Sequence, residues 1–145
     1  MMEHDIQITK EELIENLNKD LEWEYAAAIQ YIQHQSVLSG PQYNNIRDEL
    51  AVHVDEEIQH AIQLADQIDY LGGTPSINVE EIKISGDAEE MLEQDLAGER
   101  DAIKRYKKRI KEAKSLDEYA TAETLKNILV NEQEHEMDLM DALGL

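Results

Sequence analysis

Two short segments of the chain share a spacing suited to metal ligation. Glu57-Ile58-Gln59-His60 and Glu132-Gln133-Glu134-His135 both read Glu-x-x-His. On a helix, positions i and i+3 face the same way, so one carboxylate and one imidazole can reach the same ion. A lone Glu-x-x-His is weak evidence. Here, however, an internal repeat ties the two together. Glu24, Tyr31, Glu57 and His60, moved by 75 positions, fall on Glu99, Tyr106, Glu132 and His135. Leu21, Leu50 and Leu64 fall on Leu96, Leu125 and Leu139, and Asp20 on Asp95. The chain therefore reads as two similar helical hairpins facing each other about a pseudo-two-fold axis. Each contributes one single Glu and one Glu-x-x-His pair, which matches the di-iron carboxylate template.

These groups fall inside apolar stripes with helical spacing. The stripes read Leu17, Leu21, Glu24, Ala28, Tyr31; Leu50, His53, Glu57, His60, Leu64; Leu92, Leu96, Glu99, Ile103, Tyr106; and Leu125, Ile128, Glu132, His135, Leu139. A buried, unpaired carboxylate costs several kcal/mol at least. No Lys or Arg occupies the mid-stripe positions. Two divalent cations would balance four glutamates, and two neutral imidazoles would complete the ligand set. Oxygen-rich sites with imidazole suit iron, with manganese or zinc as possible substitutes. A solvated-surface reading of the six residues would require every stripe to be misphased.

The elements that position them are four long helices. Thr9 with Glu12 makes a capping box for the first, over about 9–39, which Gly40-Pro41 ends. The second spans about 43–71 and stops at Gly72-Gly73-Thr74-Pro75. The third spans about 87–114, with Asp87 and Glu90 as a box. The fourth spans about 115–143, with Ser115 and Glu118 as a box. Short turns make the first and second helices antiparallel neighbours, and likewise the third and fourth. The connection over about 72–86 is long enough to return along the bundle. The expected fold is all-α, a ferritin-like four-helix bundle of two antiparallel hairpins joined by one long crossover, in a single domain over 1–145. Ile77, Val79, Ile82 and Ile84 alternate in the crossover and are expected to pin it to the bundle.

The composition agrees. Gly and Pro number only six and two among 145 residues, and good helix formers dominate. There is no Cys, which excludes disulfides, thiolate metal sites and cysteine nucleophiles. With 33 acidic against 13 basic residues the net charge is −20. Such a surface repels nucleic acid and anionic membranes and attracts cations. No signal peptide or membrane span is visible, so the expected location is cytoplasmic.

At these residues the sequence resembles bacterioferritin over nearly its whole length. Leu17-Asn18, Glu24, Ala27 and Gln30-Tyr31 look like that family's first helix. Glu57-Ile58-Gln59-His60-Ala61 with Leu71-Gly72-Gly73-Thr74-Pro75 looks like its second. Met91-Leu92, Asp95-Leu96-Ala97 and Glu99 look like its third, and Ile128-Leu129, Glu132 and His135 like its fourth. The resemblance implies a ferroxidase centre with two Fe ions per chain, Fe(II) being oxidised by O2 or peroxide for iron storage or detoxification. Glu57 and Glu132 would bridge the ions, and Glu24 with His60, and Glu99 with His135, would be terminal ligands. Tyr31 would sit beside the site as a hydrogen-bond partner or electron donor. Tyr106 is expected to be core filler.

Two departures qualify the resemblance. The family's haem-ligating Met follows the bridging Glu of the second helix, and here that position is Ile58, so no haem of that kind is expected. The chain ends at Leu143-Gly144-Leu145, without the short fifth helix of the 24-subunit shell. A discrete di-iron redox enzyme, similar to the peroxide-reducing rubrerythrins, is therefore the alternative to mineral storage.

A second apolar face, Tyr25, Ile29 and Ile32 with Val54, Ile58, Ile62 and Ala65, implies a homo-oligomer, at least a dimer through the first two helices. Trp23 is expected to flank it. His53, one turn before Glu57, is either an accessory ligand or a hydrogen-bonded core residue. His4 and His34 are expected at the surface, and Asp95 is a candidate to orient a ligand.

Overall fold

The computed structural model describes residues 6–145, so His4 lies outside the described residues. Four helices follow in order: α1 Lys10–Val37, α2 Asn44–Tyr70, α3 Ala88–Ser115 and α4 Tyr119–Leu143. α1 packs on α2 and α3, and α4 packs on α3 and α2. The crossover runs alongside α1 from Asn18 towards His34, so α2 and α3 point the same way.

The helix ends follow their local chemistry. Thr9 Oγ1 accepts from the Glu12 amide at 3.1 Å, and Glu12 Oε1 accepts from the Thr9 amide at 3.0 Å, which completes the capping box. Asp87 caps α3 by accepting from the Glu90 amide at 2.9 Å. The box expected at Ser115 does not form. The Ser115 hydroxyl donates instead to the Glu112 carbonyl at 2.7 Å, so Ser115 ends α3 rather than starting α4. Asp117, at φ 58°, turns the chain, and α4 starts at Tyr119. Gly73 is needed for close approach, since a Cβ there would lie 2.5 Å from the Ile14 side chain.

The crossover corrects one expectation. Three of its four alternating apolar residues do not pin it: Ile77 is 92% exposed, and Val79 and Ile84 also face solvent, while Ile82 alone is half-buried. The face of α1 beneath it is polar, so the strap turns its backbone inward. Asn18 Oδ1 accepts from the Ser76 amide at 2.8 Å, and Gln30 Oε1 accepts from the Lys83 amide at 2.8 Å. Tyr25 donates to the Ser76 carbonyl at 2.8 Å, and Lys19 bridges to Glu80 at 3.0 Å.

The bundle interior is two apolar clusters with a polar layer between them. Leu13, Leu17, Leu21, Leu64, Ile68 and Leu125 belong to one, and Leu38, Leu50, Leu92, Leu96 and Leu139 to the other. α1 and α3 are also joined by a buried ion network. Arg109 grips both oxygens of Asp20, at 2.7 and 3.2 Å, and reaches Glu112 at 2.7 Å. Breaking a buried pair from one side leaves an uncompensated charge. Arg109→Met should therefore destabilise the metal-free protein by about 3–5 kcal/mol, measured by denaturant unfolding.

Candidate metal centre

The polar layer holds all six residues of the repeated pattern. Glu24 comes from α1, Glu57 and His60 from α2, Glu99 from α3, and Glu132 and His135 from α4. Each is at most 4% exposed. Their donor atoms form two overlapping groups. Glu24, Glu57, His60 and Glu132 present atoms within 4.8 Å of one another, as do Glu57, Glu99, Glu132 and His135. Glu57 and Glu132 belong to both groups.

The imidazoles point inward through Nδ1. His60 Nδ1 lies 3.2 Å from Glu57, 3.3 Å from Glu132 and 3.5 Å from Glu24. His135 Nδ1 lies 3.3 Å from Glu57, Glu99 and Glu132. Tyrosines hold the terminal carboxylates from behind. Tyr31 Oη donates to Glu99 Oε1 at 2.6 Å, and Tyr106 Oη donates to Glu24 Oε1 at 2.5 Å. The second oxygen of each, Glu24 Oε2 and Glu99 Oε2, is buried without a hydrogen-bond partner. Glu57 Oε1, Glu132 Oε1 and His60 Nδ1 are in the same state. Five orphaned donor atoms converging on one buried point fit two oxygen- and nitrogen-ligated divalent cations.

Electrostatics leads to the same conclusion. Burial first, and then repulsion by Glu132, raises the carboxyl pKa values of Glu24 and Glu57 and pushes Glu99 up to about 8. Burial alone would keep His60 and His135 neutral, but hydrogen bonds to the surrounding carboxylates overcome it and raise both. Burial likewise opposes ionisation of Glu132, yet the two histidines hold it ionised. The layer without cations therefore holds protons where cations would sit.

Several residues around the layer were not legible as functional or were assigned elsewhere. Tyr106 is the pseudo-symmetric counterpart of Tyr31 rather than plain filler. The 75-residue offset already paired the two. His34, expected at the surface, is fully buried. It bonds Asp95 at 2.9 Å and the Lys83 carbonyl at 2.9 Å, because the strap covers it. Asp95 thus holds His34 and Gln30 rather than a ligand of the centre. Its repeat counterpart is the Asp20–Arg109 pair, again at the common offset. Trp23 does not flank the α1–α2 face; it lines a cleft between α1 and α3 that leads to the carboxylates, with Arg105 over its ring at 5.3 Å.

His53 is buried, 3.1 Å from Asp138, and stacked on His135 at 3.9 Å. Burial and the neighbouring His135 push its pKa down to about 4, so it is a neutral imidazole. With Glu49 and Asp138 it forms a further three-residue donor group at the edge of the layer.

Comparisons with known proteins show the family. The ferritin-like domain family matches residues 14–145. The chain belongs to the ferritin-like family. Among ferritin-like relatives, a bacterioferritin of Brucella melitensis is 30% identical, covering 91% of this chain and 86% of that protein. A bacterial ferritin of Pseudomonas aeruginosa is 32% identical, covering 92% and 88%. Among solved structures, a ferritin-like di-iron carboxylate protein of Bacillus anthracis superposes with a TM-score of 0.89 at 33% identity, covering 95% of this chain and 99% of that one. A dodecameric thioferritin of Bacteroides fragilis gives 0.87 at 31% identity, covering 94% and 87%.

The raised pKa values have a measurable sign. In the folded metal-free layer Glu99 keeps a proton that the unfolded chain has lost, so the stability it contributes is greatest at low pH. For Glu99 that contribution is lost as the pH rises from its ordinary 4.5 through about 8. Cation binding must expel the same protons. We expect proton release on adding Co(II) at pH 7, and an affinity that climbs with pH through about 8, both read by calorimetry in buffers of different ionisation enthalpy.

Proposed function

We propose that the chain is a bacterioferritin-like di-iron ferroxidase, binding two Fe(II) per chain and oxidising them with O2 or peroxide, in iron storage or detoxification. The observation that carries this reading is the pair of donor groups sharing Glu57 and Glu132. Two ions held by shared carboxylates lie close enough to deliver two electrons to one oxidant. Each Fe(II) supplies one electron, and O2 takes both, with two protons, to leave as hydrogen peroxide.

The chain's own residues do the rest. Glu57 and Glu132 span the two positions. Glu24 with His60, and Glu99 with His135, close them from either side. Tyr31 fixes Glu99, and its ring meets His53 edge-on at 5.0 Å and lies 6.4 Å from His135, where it can donate an electron. The cleft lined by Ala27, Ala97 and Gly98 gives small solutes access between α1 and α3. The net charge of −20 favours arrival of cations.

The proposal includes assembly. Ile29, Ile32, Ile58 and Ile62 leave α1 and α2 with an exposed apolar face, each side chain more than 40% exposed. Tyr25 is not part of that face, since the strap holds its hydroxyl. The relatives include a protein described as dodecameric, and this face suits contact with a second copy. No described helix is long and apolar enough to cross a membrane.

Anaerobic Fe(II) titration followed by air, with light scattering on the same sample, tests the reading. Saturation at two irons per chain, fast oxidation and a large assembly that takes up many more irons would support storage. Two irons oxidised without further uptake would instead group the chain with discrete redox proteins such as the rubrerythrins. Glu57→Ala and Glu132→Ala should each abolish rapid oxidation; wild-type kinetics in either would remove the bridging roles. Tyr31→Phe should weaken one of the two binding steps by roughly 10–100-fold, since Glu99 loses its outer partner.

A further inference from the structure

Behind the two histidines, facing away from the carboxylates, lies a continuous chain of hydrogen bonds. His60 Nε2 meets Asn131 Oδ1 at 2.7 Å. The Asn131 amide nitrogen donates to Glu56 Oε2 at 2.8 Å and, less closely, to Glu134 Oε2 on its own helix at 3.3 Å. The other oxygen, Glu56 Oε1, lies 3.1 Å from His135 Nε2. Glu56 is on α2 and Asn131 on α4, so the chain crosses between the hairpins and links the outer edges of both imidazoles. The two residues are repeat counterparts, 56 and 131, yet one is an acid and the other an amide.

Donor and acceptor counting fixes the direction of every bond. An ionised carboxylate only accepts. Glu56 therefore accepts one hydrogen bond from His135 Nε2 and a second from the Asn131 amide nitrogen. With its nitrogen committed, Asn131 must present its carbonyl to His60, so His60 Nε2 also carries its proton. Once a cation has displaced the inner proton, each imidazole is neutral, with one N–H and one lone pair. Both lone pairs are thus left on Nδ1, the atoms that face the carboxylate layer.

We propose that Glu56 is the positioning residue that sets the tautomer of both metal-facing histidines, directly for His135 and through Asn131 for His60. This rests on the two-ion reading of the layer. It also makes the two positions unequal. His135 leans on a full negative charge and His60 on a neutral carbonyl, so the Glu99–His135 position is the more electron-rich of the two and fills first.

The logic makes an unusual demand on variants. Glu56→Gln offers one acceptor where two are needed. Whichever histidine loses the contest turns a proton towards the ions, and one of the two binding steps should weaken by roughly 10–100-fold. Exchanging the two functional groups, Glu56→Gln together with Asn131→Asp, reverses the relay. The carboxylate now at position 131 would accept from His60 and from the side-chain amide now at position 56. The carbonyl of that amide would accept from His135. Both lone pairs would face inward again.

The experiment is an anaerobic titration with Co(II), whose ligand-field absorption counts bound ions without any oxidation chemistry. Helix content and thermal unfolding of each metal-free variant are followed in parallel. Two ions in the wild type, one tight ion in Glu56→Gln and two again in the exchanged pair are expected. A Glu56→Gln chain that binds two ions as tightly as the wild type overturns the proposal. So does an exchanged pair that fails to recover the second ion. A wild type that binds no pair of ions would instead overturn the di-iron reading itself.

Discussion

Four carboxylates share one buried layer, and the chain supplies no Lys or Arg to neutralise them. Most of the architecture around the layer answers that constraint. Each glutamate sits mid-helix, so apolar turns seal the layer above and below. Each terminal glutamate gives one oxygen to a tyrosine and keeps the other free. Each histidine turns one nitrogen inward and has the other anchored outside. Protons hold the layer together when cations are absent, and in the proposed function cations would replace them at the same atoms. The net charge of −20 extends the same sign outward, so the centre sits in a field that favours cations.

The two-fold repeat explains how so specific a layer is built from little information. Glu24, Tyr31, Glu57 and His60 recur as Glu99, Tyr106, Glu132 and His135, and the tyrosines cross over, each bonding the glutamate of the opposite half. Each hairpin thus completes the site of the other. The departures from symmetry are as informative. His53 faces Ile128 across the repeat, Glu56 faces Asn131, and His34 faces Arg109. Two of these differences, at His53 and Glu56, fall on the His135 side of the layer. The centre is symmetric in the atoms that point inward and asymmetric in what stands behind them.

The helices and the six inward-facing residues were legible because their signals are local and periodic. Glu-x-x-His spacing, stripe phase and the common offset do not depend on details of packing. The strap was misread because alternation reports only that two faces differ. It does not say which face the bundle offers, and the α1 surface beneath is Asn18, Glu22, Gln30 and His34 rather than aliphatic. His34 was assigned to solvent for the same reason, since the strap and Asp95 of α3 together cover it. Ser115 and Glu118 have the spacing of a capping box, but a serine hydroxyl can bond backwards as readily as forwards, and the backward bond to Glu112 won. Tyr106 was legible in principle, for the offset that marked Tyr31 marked it too.

The placement of the charged layer also governs the order in which the molecule can fold. Each hairpin is built from contacts close in sequence, which form early and at small entropic cost. A single hairpin brings together only two of the four glutamates, one of them beside a histidine on its own helix. The full repulsion is met only when the hairpins dock, at the end of the process. Docking is also when the long strap must be drawn along α1 and its hydrogen bonds made. Electrostatics therefore weighs on the last association step and leaves the first ones free. A cation captured by one hairpin would carry its charge into that step and lower the barrier to it, making the cargo of the finished protein a participant in its assembly.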